Sequence, residues 1–144
     1  MRISECMSTD VRVAAPDNTM QSAARAMADI DAGFLPVAQD DRLIGIVTDR
    51  DIAIRGVAAG RPPETSIREV MSEEVRYCFA DEDSDTVLDN MSDIQVRRLP
   101  VVEREKKLVG IVSITDLASE GDGRRAGKAL GDIARPSAQH SQAV

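Results

Sequence analysis

The stretch Leu43-Ile44-Gly45-Ile46-Val47-Thr48-Asp49-Arg50-Asp51 decides how this chain is read, because it occurs twice. It returns 65 residues later as Leu108-Val109-Gly110-Ile111-Val112-Ser113-Ile114-Thr115-Asp116. An aliphatic run around one glycine has the length of a buried strand. A Thr or Ser directly after it, with Asp three residues on, is a helix start. Upstream, Leu35-Pro36-Val37 returns as Leu99-Pro100-Val101, now 64 residues apart. The spacing of 64 also joins Ile3, Met7, Ser8 and Val11 to Ile67, Met71, Ser72 and Val75. It joins Asp17, Met27 and Ile30 to Asp81, Met91 and Ile94. The extra residue falls in the polar stretch between Arg104 and Lys107, opposite Asp40 to Arg42, where a hairpin loop tolerates insertion.

Each copy predicts the same order of elements. A helical turn runs from Ile3 to Met7 and a short strand from Val11 to Ala14. A helix over Thr19 to Ile30 puts Ala23, Ala24, Met27 and Ile30 on one face. Strands over Phe34 to Ala38 and Leu43 to Val47 follow, then a helix over Asp49 to Ala58. The second copy predicts helices over Asp83 to Ser92 and Ile114 to Ser119. The organisation is therefore a repeat over 1–60, a linker over 61–66 marked by Pro62-Pro63, a repeat over 67–120 and a tail over 121–144. In the tail a weak helix is expected over Arg124 to Ile133 and disorder from Pro136 to Val144. Some sixty residues with two short helices bury little surface alone. Two copies can cover each other's sheet faces, which predicts an α/β globule with a pseudo-twofold axis and two related clefts.

Composition narrows the function. Apolar residues make up 42% of the chain but aromatics only 2%, so the core is aliphatic. Phe34, Tyr77 and Phe79 are too few for a base-stacking platform, and a net charge of −7 opposes attraction to phosphate backbones. Nucleic acid is not the expected partner. No apolar leader precedes Thr9 and the longest aliphatic runs are about five residues, so the expectation is a soluble cytoplasmic protein with no membrane span. Cys6 and Cys78 lack metal-ligand spacing and read as small buried apolar residues, with a disulfide or redox pair as the alternative. His140 is the one histidine, and no nucleophile-base set, metal cluster or phosphate-cradling glycine loop accompanies it. An enzyme is not expected, nor a metal site.

The repeated order Leu-Pro-Val, then aliphatic-Gly-Ile-Val, then Thr or Ser with Asp three residues on, resembles the cystathionine β-synthase (CBS) domain family. The resemblance covers residues 1 to about 120 and looks most like the small stand-alone bacterial CBS pairs associated with stress. It implies two βαββα repeats packed through their sheets, an adenine nucleotide (AMP, ADP, ATP or a related adenosyl ligand) in the clefts between repeats, and pairing into homodimers. No further cofactor is required.

Thr48 and Asp51 admit two readings. As a capping box they satisfy main-chain groups at the helix start. In the resemblance the same Asp also accepts from the ribose hydroxyls, and the Thr hydroxyl reaches sugar or phosphate. The resemblance takes phosphate-binding cations from the residues before Pro-Val of the opposite repeat. For Thr48 and Asp51 these are Arg97 and Arg98; the alternative is an exposed arginine pair at a strand start. Arg50 and Arg55 are weaker candidates. Ser113 and Asp116 form the matching pair, opposed by Ala32-Gly33-Phe34 with no cation. The two sites are thus not expected to be equivalent. Adenine is loosely assigned to Val11, Val13, Ala14 and Pro16, and to Val75, Tyr77, Cys78 and Ala80. The implied function is a non-catalytic regulatory module whose output passes to another, unidentified chain. The alternative is a stress-associated interaction protein with vestigial clefts.

Overall fold

Each Leu-Pro-Val segment folds back on the aliphatic strand that follows it. In the computed structural model, which describes residues 1–120 and 123–135, β1 (Phe34–Gln39) pairs antiparallel with β2 (Arg42–Thr48). Gln39 faces Arg42 across a two-residue turn. Asp40 and Asp41 both have positive φ there, as the favoured tight hairpin turn demands. The second hairpin, β4 (Arg98–Val102) and β5 (Leu108–Ser113), carries a 3-10 turn at Arg104–Lys106. The inserted residue is accommodated in that loop, as the spacing predicts.

The fold is α/β. Helix α1 (Met20–Ile30) starts on Thr19, whose hydroxyl accepts from the Ser22 N–H at 3.0 Å, and buries Met20, Ala23 and Met27. Helix α3 (Ser84–Ile94) starts on Asp83 and buries Val87, Leu88 and Met91. Both end on a residue in the left-handed conformation, Asp31 and Gln95. After β2, α2 (Asp49–Asp51) continues as π-helix over Ile52–Val57 rather than as the regular α-helix expected. The Ala58 N–H bonds the Ala53 carbonyl, five residues back, at 2.9 Å. Gly56 sits where a Cβ would lie 2.6 Å from the Met20 sulfur, so the widened turn seats against α1. After β5 come α4 (Ile114–Glu120) and α5 (Gly123–Ile133). The expected disordered stretch 136–144, with His140, lies outside the described residues.

Contacts divide the chain into two compact units. One, here the N-unit, contains 10–76 and 102–108; the other, the C-unit, contains 1–9, 77–101 and the described residues from 109 onward. The leading segment of each repeat therefore completes the sheet of the other. In the N-unit, Ser72 exchanges hydrogen bonds with Ile46 at 2.9 and 3.0 Å. In the C-unit, Ser8 does so with Ile111 at 2.8 and 2.9 Å. The glycine beside each bridge is what lets the chain approach. A Cβ on Gly45 would lie 2.9 Å from the Ser72 carbonyl oxygen, and one on Gly110 would lie 2.7 Å from that of Ser8.

The opposite edge of each sheet is shorter than predicted. In place of a strand over Val11 to Ala14 there is one parallel bridge, Ala14 to Val37. Prolines explain this. Extending the ladder backward needs an N–H from Pro36, and extending it forward needs one from Pro16; neither exists. In the second repeat Ala80 stands where Pro16 does, and β3 reaches two residues, Cys78–Phe79. The C-unit sheet order is β3-β4-β5.

Each unit has its own core. That of the N-unit includes Met27, Leu35, Val37, Val47, Ile67 and Val70. That of the C-unit includes Ile3, Val87, Met91, Leu99, Val112 and Leu117. Ile3 and Ile67 are fully buried, each contributing about 1.5–3 kcal/mol to a unit otherwise built from the other repeat. Ile67→Ala is expected to cost about 2–5 kcal/mol. By hydrogen exchange it should reduce protection in α1, β1 and β2 before α3, β4 and β5, and Ile3→Ala should do the reverse. Cys6 and Cys78 are buried in the C-unit core and do not form a disulfide. Burial, with Glu82 and Cys6 adding to it, pushes the Cys78 thiol up to about 12. Native protein at pH 7–8 should leave Cys78 unlabelled by a thiol reagent, and denatured protein should label at once.

Candidate nucleotide-binding boxes

The strand-to-helix junction is built alike in both repeats. The Thr48 hydroxyl accepts from the Asp51 N–H at 3.0 Å, and the Asp51 carboxylate accepts from the Thr48 N–H at 3.0 Å. The Ser113 hydroxyl accepts from the Asp116 N–H at 3.1 Å, and the Asp116 carboxylate accepts from the Ser113 N–H at 2.9 Å. All four side chains are half-buried. These reciprocal bonds satisfy donors that would otherwise be orphaned at a helix start.

Each box uses only one carboxylate oxygen for this. In Asp51 the other oxygen, Oδ1, lies 3.9 Å from the Arg55 Nε. In Asp116 the other oxygen has no hydrogen-bond partner among the described residues. A second oxygen held on a fixed carboxylate is an acceptor for a vicinal diol. Arg55 is less a ligand than a tie: its Nη1 donates to the Met71 carbonyl at 3.0 Å and the Val70 carbonyl at 3.4 Å. Its half-exposed pair with Asp51 adds little stability of its own.

The residues before Leu-Pro-Val are set beside the box of their own unit by the hairpin register. Phe34 faces Thr48, and the Asp49 N–H donates to the Gly33 carbonyl at 2.9 Å. In the C-unit the Ile114 N–H donates to the Arg97 carbonyl at 2.9 Å. The Arg97 main chain thus runs next to Ser113 and Ile114. Arg97 and Arg98 are exposed, and neither side chain has an ion-pair partner among the described residues. In the N-unit, Gly33 holds the position of Arg97, and a Cβ there would lie 3.0 Å from Asp49 Oδ2. One box therefore has Gly33 and Asp49 beside it, and the other has the Arg97 main chain and Ile114. A two-residue turn alone would put residue 33 opposite residue 48. A bulge between Val37 and Ala38 shifts the register by one and sets it opposite residue 49, and the repeat carries that position to Arg97 and Ile114.

The residues assigned to adenine divide between the units. Val11, Val13, Ala14 and Val75 belong to the N-unit and Tyr77 to the C-unit. Val13 is exposed, while Val11 and Val75 are half-buried. Ala14 is buried and gives its N–H to the Pro36 carbonyl and its carbonyl to the Ala38 N–H. Its main chain is therefore fully used by β1. Tyr77 meets Phe79 edge to face, ring centroids 5.7 Å apart. Among the described residues no three His, Cys, Asp or Glu side chains gather as metal ligands. Among the same residues no helix is long and apolar enough to cross a membrane.

The CBS domain profile matches residues 3–56 and 67–123, and the chain belongs to that family. The CBS domain-containing protein YhcV of Bacillus subtilis is 38% identical over 132 residues, spanning 91% of this chain and 94% of that one. Hypoxic response protein 1 of Mycobacterium tuberculosis is 40% identical over 116 residues, 79% of this chain and 80% of that one. The crystal structure of Hypoxic Response Protein I with two coordinated zinc ions superposes with a TM-score of 0.75 at 37% identity, covering 85% of this chain and all of that one. The CBS domain pair of protein MJ0100, in complex with 5′-methylthioadenosine and S-adenosyl-L-methionine, gives 0.69 at 27% identity, covering 83% of this chain and 94% of that one.

Thr48→Ala and Ser113→Ala each remove one capping acceptor. Each is expected to destabilise the protein by about 1 kcal/mol in urea denaturation with an unchanged m-value.

Proposed function

We propose that this chain is a non-catalytic regulatory module that binds an adenine nucleotide, AMP, ADP, ATP or a related adenosyl compound. The observation that carries the reading is the pair of reciprocal boxes, each presenting one carboxylate oxygen beyond its structural duty. Asp51 and Asp116 accept from ribose hydroxyls, and Thr48 and Ser113 add a hydroxyl beside them. Arg97 and Arg98 supply charge to phosphate. The exposed Val13 and the half-buried Val11, Val75 and Tyr77 offer apolar surface for the base. The adenosyl ligands of the MJ0100 pair, a relative of the same architecture, support the ligand class.

Binding shifts the module toward the state that holds the ligand better, and the output passes to another chain that reads that state. The protein acts as a homodimer in the cytoplasm, with Ile54 and Val57, 53% and 69% exposed, among the residues a second copy covers. The alternative, an interaction protein whose boxes serve only as helix caps, is favoured by one observation: the box of Thr48 and Asp51 has a carboxylate, Asp49, at its side.

A thermal-shift panel of adenosine, AMP, ADP, ATP, NAD and S-adenosylmethionine separates the two. Binding by any member, weakened at least about tenfold in Asp116→Ala or Asp51→Ala, is the expected result. Arg97→Ala with Arg98→Ala should weaken ATP more than adenosine. Silence across the panel in folded protein would favour the caps-only reading.

A further inference from the structure

Helix α5 begins where the second profile match ends and is a poor helix by itself. Gly123, Gly127 and Gly131 are three of its eleven residues, and each favours the unfolded chain about fivefold over alanine. Its charges also oppose its dipole, with Arg124 and Arg125 in the first turn and Asp132 in the last. Its seat on the C-unit holds it. Ala126 and Ala129 are buried in the core that holds Leu88, Met91 and Leu117. The Arg125 guanidinium lies 3.3 Å from Asp89 and 3.8 Å from Asp85 on α3, in exposed pairs that add little. At the far end the Ser92 hydroxyl donates to Asp132 at 2.6 Å and the Gln95 side chain to the Asp132 carbonyl at 2.9 Å. Beside this contact an open groove of about 620 Å³, lined by Asp93 of α3 and by Arg124 and Lys128 of α5, leaves one flank of the helix unpacked.

The repeat shows what α5 covers. Leu88 and Leu117 are each 3% exposed, whereas of their counterparts in the N-unit Ala24 is exposed and Ile52 half-buried. Ser92 is half-buried and its counterpart Ala28 is exposed. Ala24, Ala28 and Ile52 line an open groove of about 370 Å³ on α1 and the helix after β2. On the C-unit the equivalent surface lies under α5. Leu88, standing where Ala24 does, gives that surface the larger apolar side chain.

We propose that α5 is a detachable strap. Docked, it withholds the outer face of α3 and α4 from a second copy of this chain; released, it unfolds and leaves that face to the second copy. This rests on the homodimer reading, which already seats a second copy on the equivalent helix face of the N-unit. Two features suit a strap better than a permanent part of the core. The three glycines point into open space, where alanine would strengthen the helix at no steric cost. The seat is filled from α5 chiefly by Ala126 and Ala129, so larger side chains of a second copy bury more apolar area against Leu88 and Leu117.

Sedimentation of the full chain and of two full-length variants tests this. Gly127→Ala with Gly131→Ala strengthens α5 and should weaken self-association at least about fivefold. Ala129→Glu puts a charge in the seat, releases α5 and should tighten self-association by a similar factor. In the unaltered chain, raising the concentration should speed amide exchange in α5 and slow it in α3. If α5 is a fixed part of the C-unit, the alanine pair raises Tm and leaves the dissociation constant unchanged. That result overturns the strap but not the homodimer. Slower exchange in α5 on association overturns the strap as well. Ala129→Glu that keeps native amide protection in β4 and β5 yet stays monomeric at millimolar concentration overturns both readings. Should that variant not fold, the alanine pair decides alone.

Discussion

Everything in this fold hangs on a main chain crossing a glycine. Strand β2 can accept its outer neighbour only because Gly45 has no Cβ where the Ser72 carbonyl comes in, and β5 depends on Gly110 and Ser8 in the same way. Because each visiting segment comes from the other repeat, the two copies are bound by topology as well as by packing. Ile3 and Ile67 then reinforce the exchange, since each is fully buried in a unit whose other core residues lie mostly in the opposite repeat. The tie of Arg55 to the carbonyls of Val70 and Met71 adds a polar clasp at the same place.

The elements themselves were legible. A run such as Leu-Ile-Gly-Ile-Val, followed by Thr and then Asp three residues on, has few physical realisations, and its recurrence removed most alternatives. Both hairpins, all four repeat helices and the loop insertion lie where period and turn chemistry predict. What was not legible depended on partners far along the chain. The strand at Val11 to Ala14 looked regular by composition, yet Pro16 and Pro36 remove the donors its ladder needs. The π-helical turn at Ile52–Val57 goes with the seating of Gly56 on Met20, a contact between residues 36 apart in the chain. Nor does periodicity reveal that a leading segment belongs to another unit.

The boxes show how a structural necessity can leave chemistry to spare. A helix start needs its amides satisfied, and Thr-x-x-Asp does this with a hydroxyl and one carboxylate oxygen. The other oxygen is held in place by a bond made for folding. Such a group costs little further ordering when a diol meets it. The surroundings then differentiate the copies: Gly33 and Asp49 at one box, Arg97 and Ile114 at the other. That contrast follows from hairpin register, and it could be read only once the register was tied to the repeat.

The exchange of leading segments also bears on synthesis. Residues 1–9 have no partner strand until β5, about a hundred residues later. At ordinary rates of about 5–20 residues per second, they wait on the order of 5–20 s. Strand β2 likewise waits for residues 66–76 and stays an open edge meanwhile. The core of the N-unit is complete once Met71 has followed, whereas that of the C-unit joins Ile3 to residues from Cys78 to Ala129, so the C-unit is the later of the two to close.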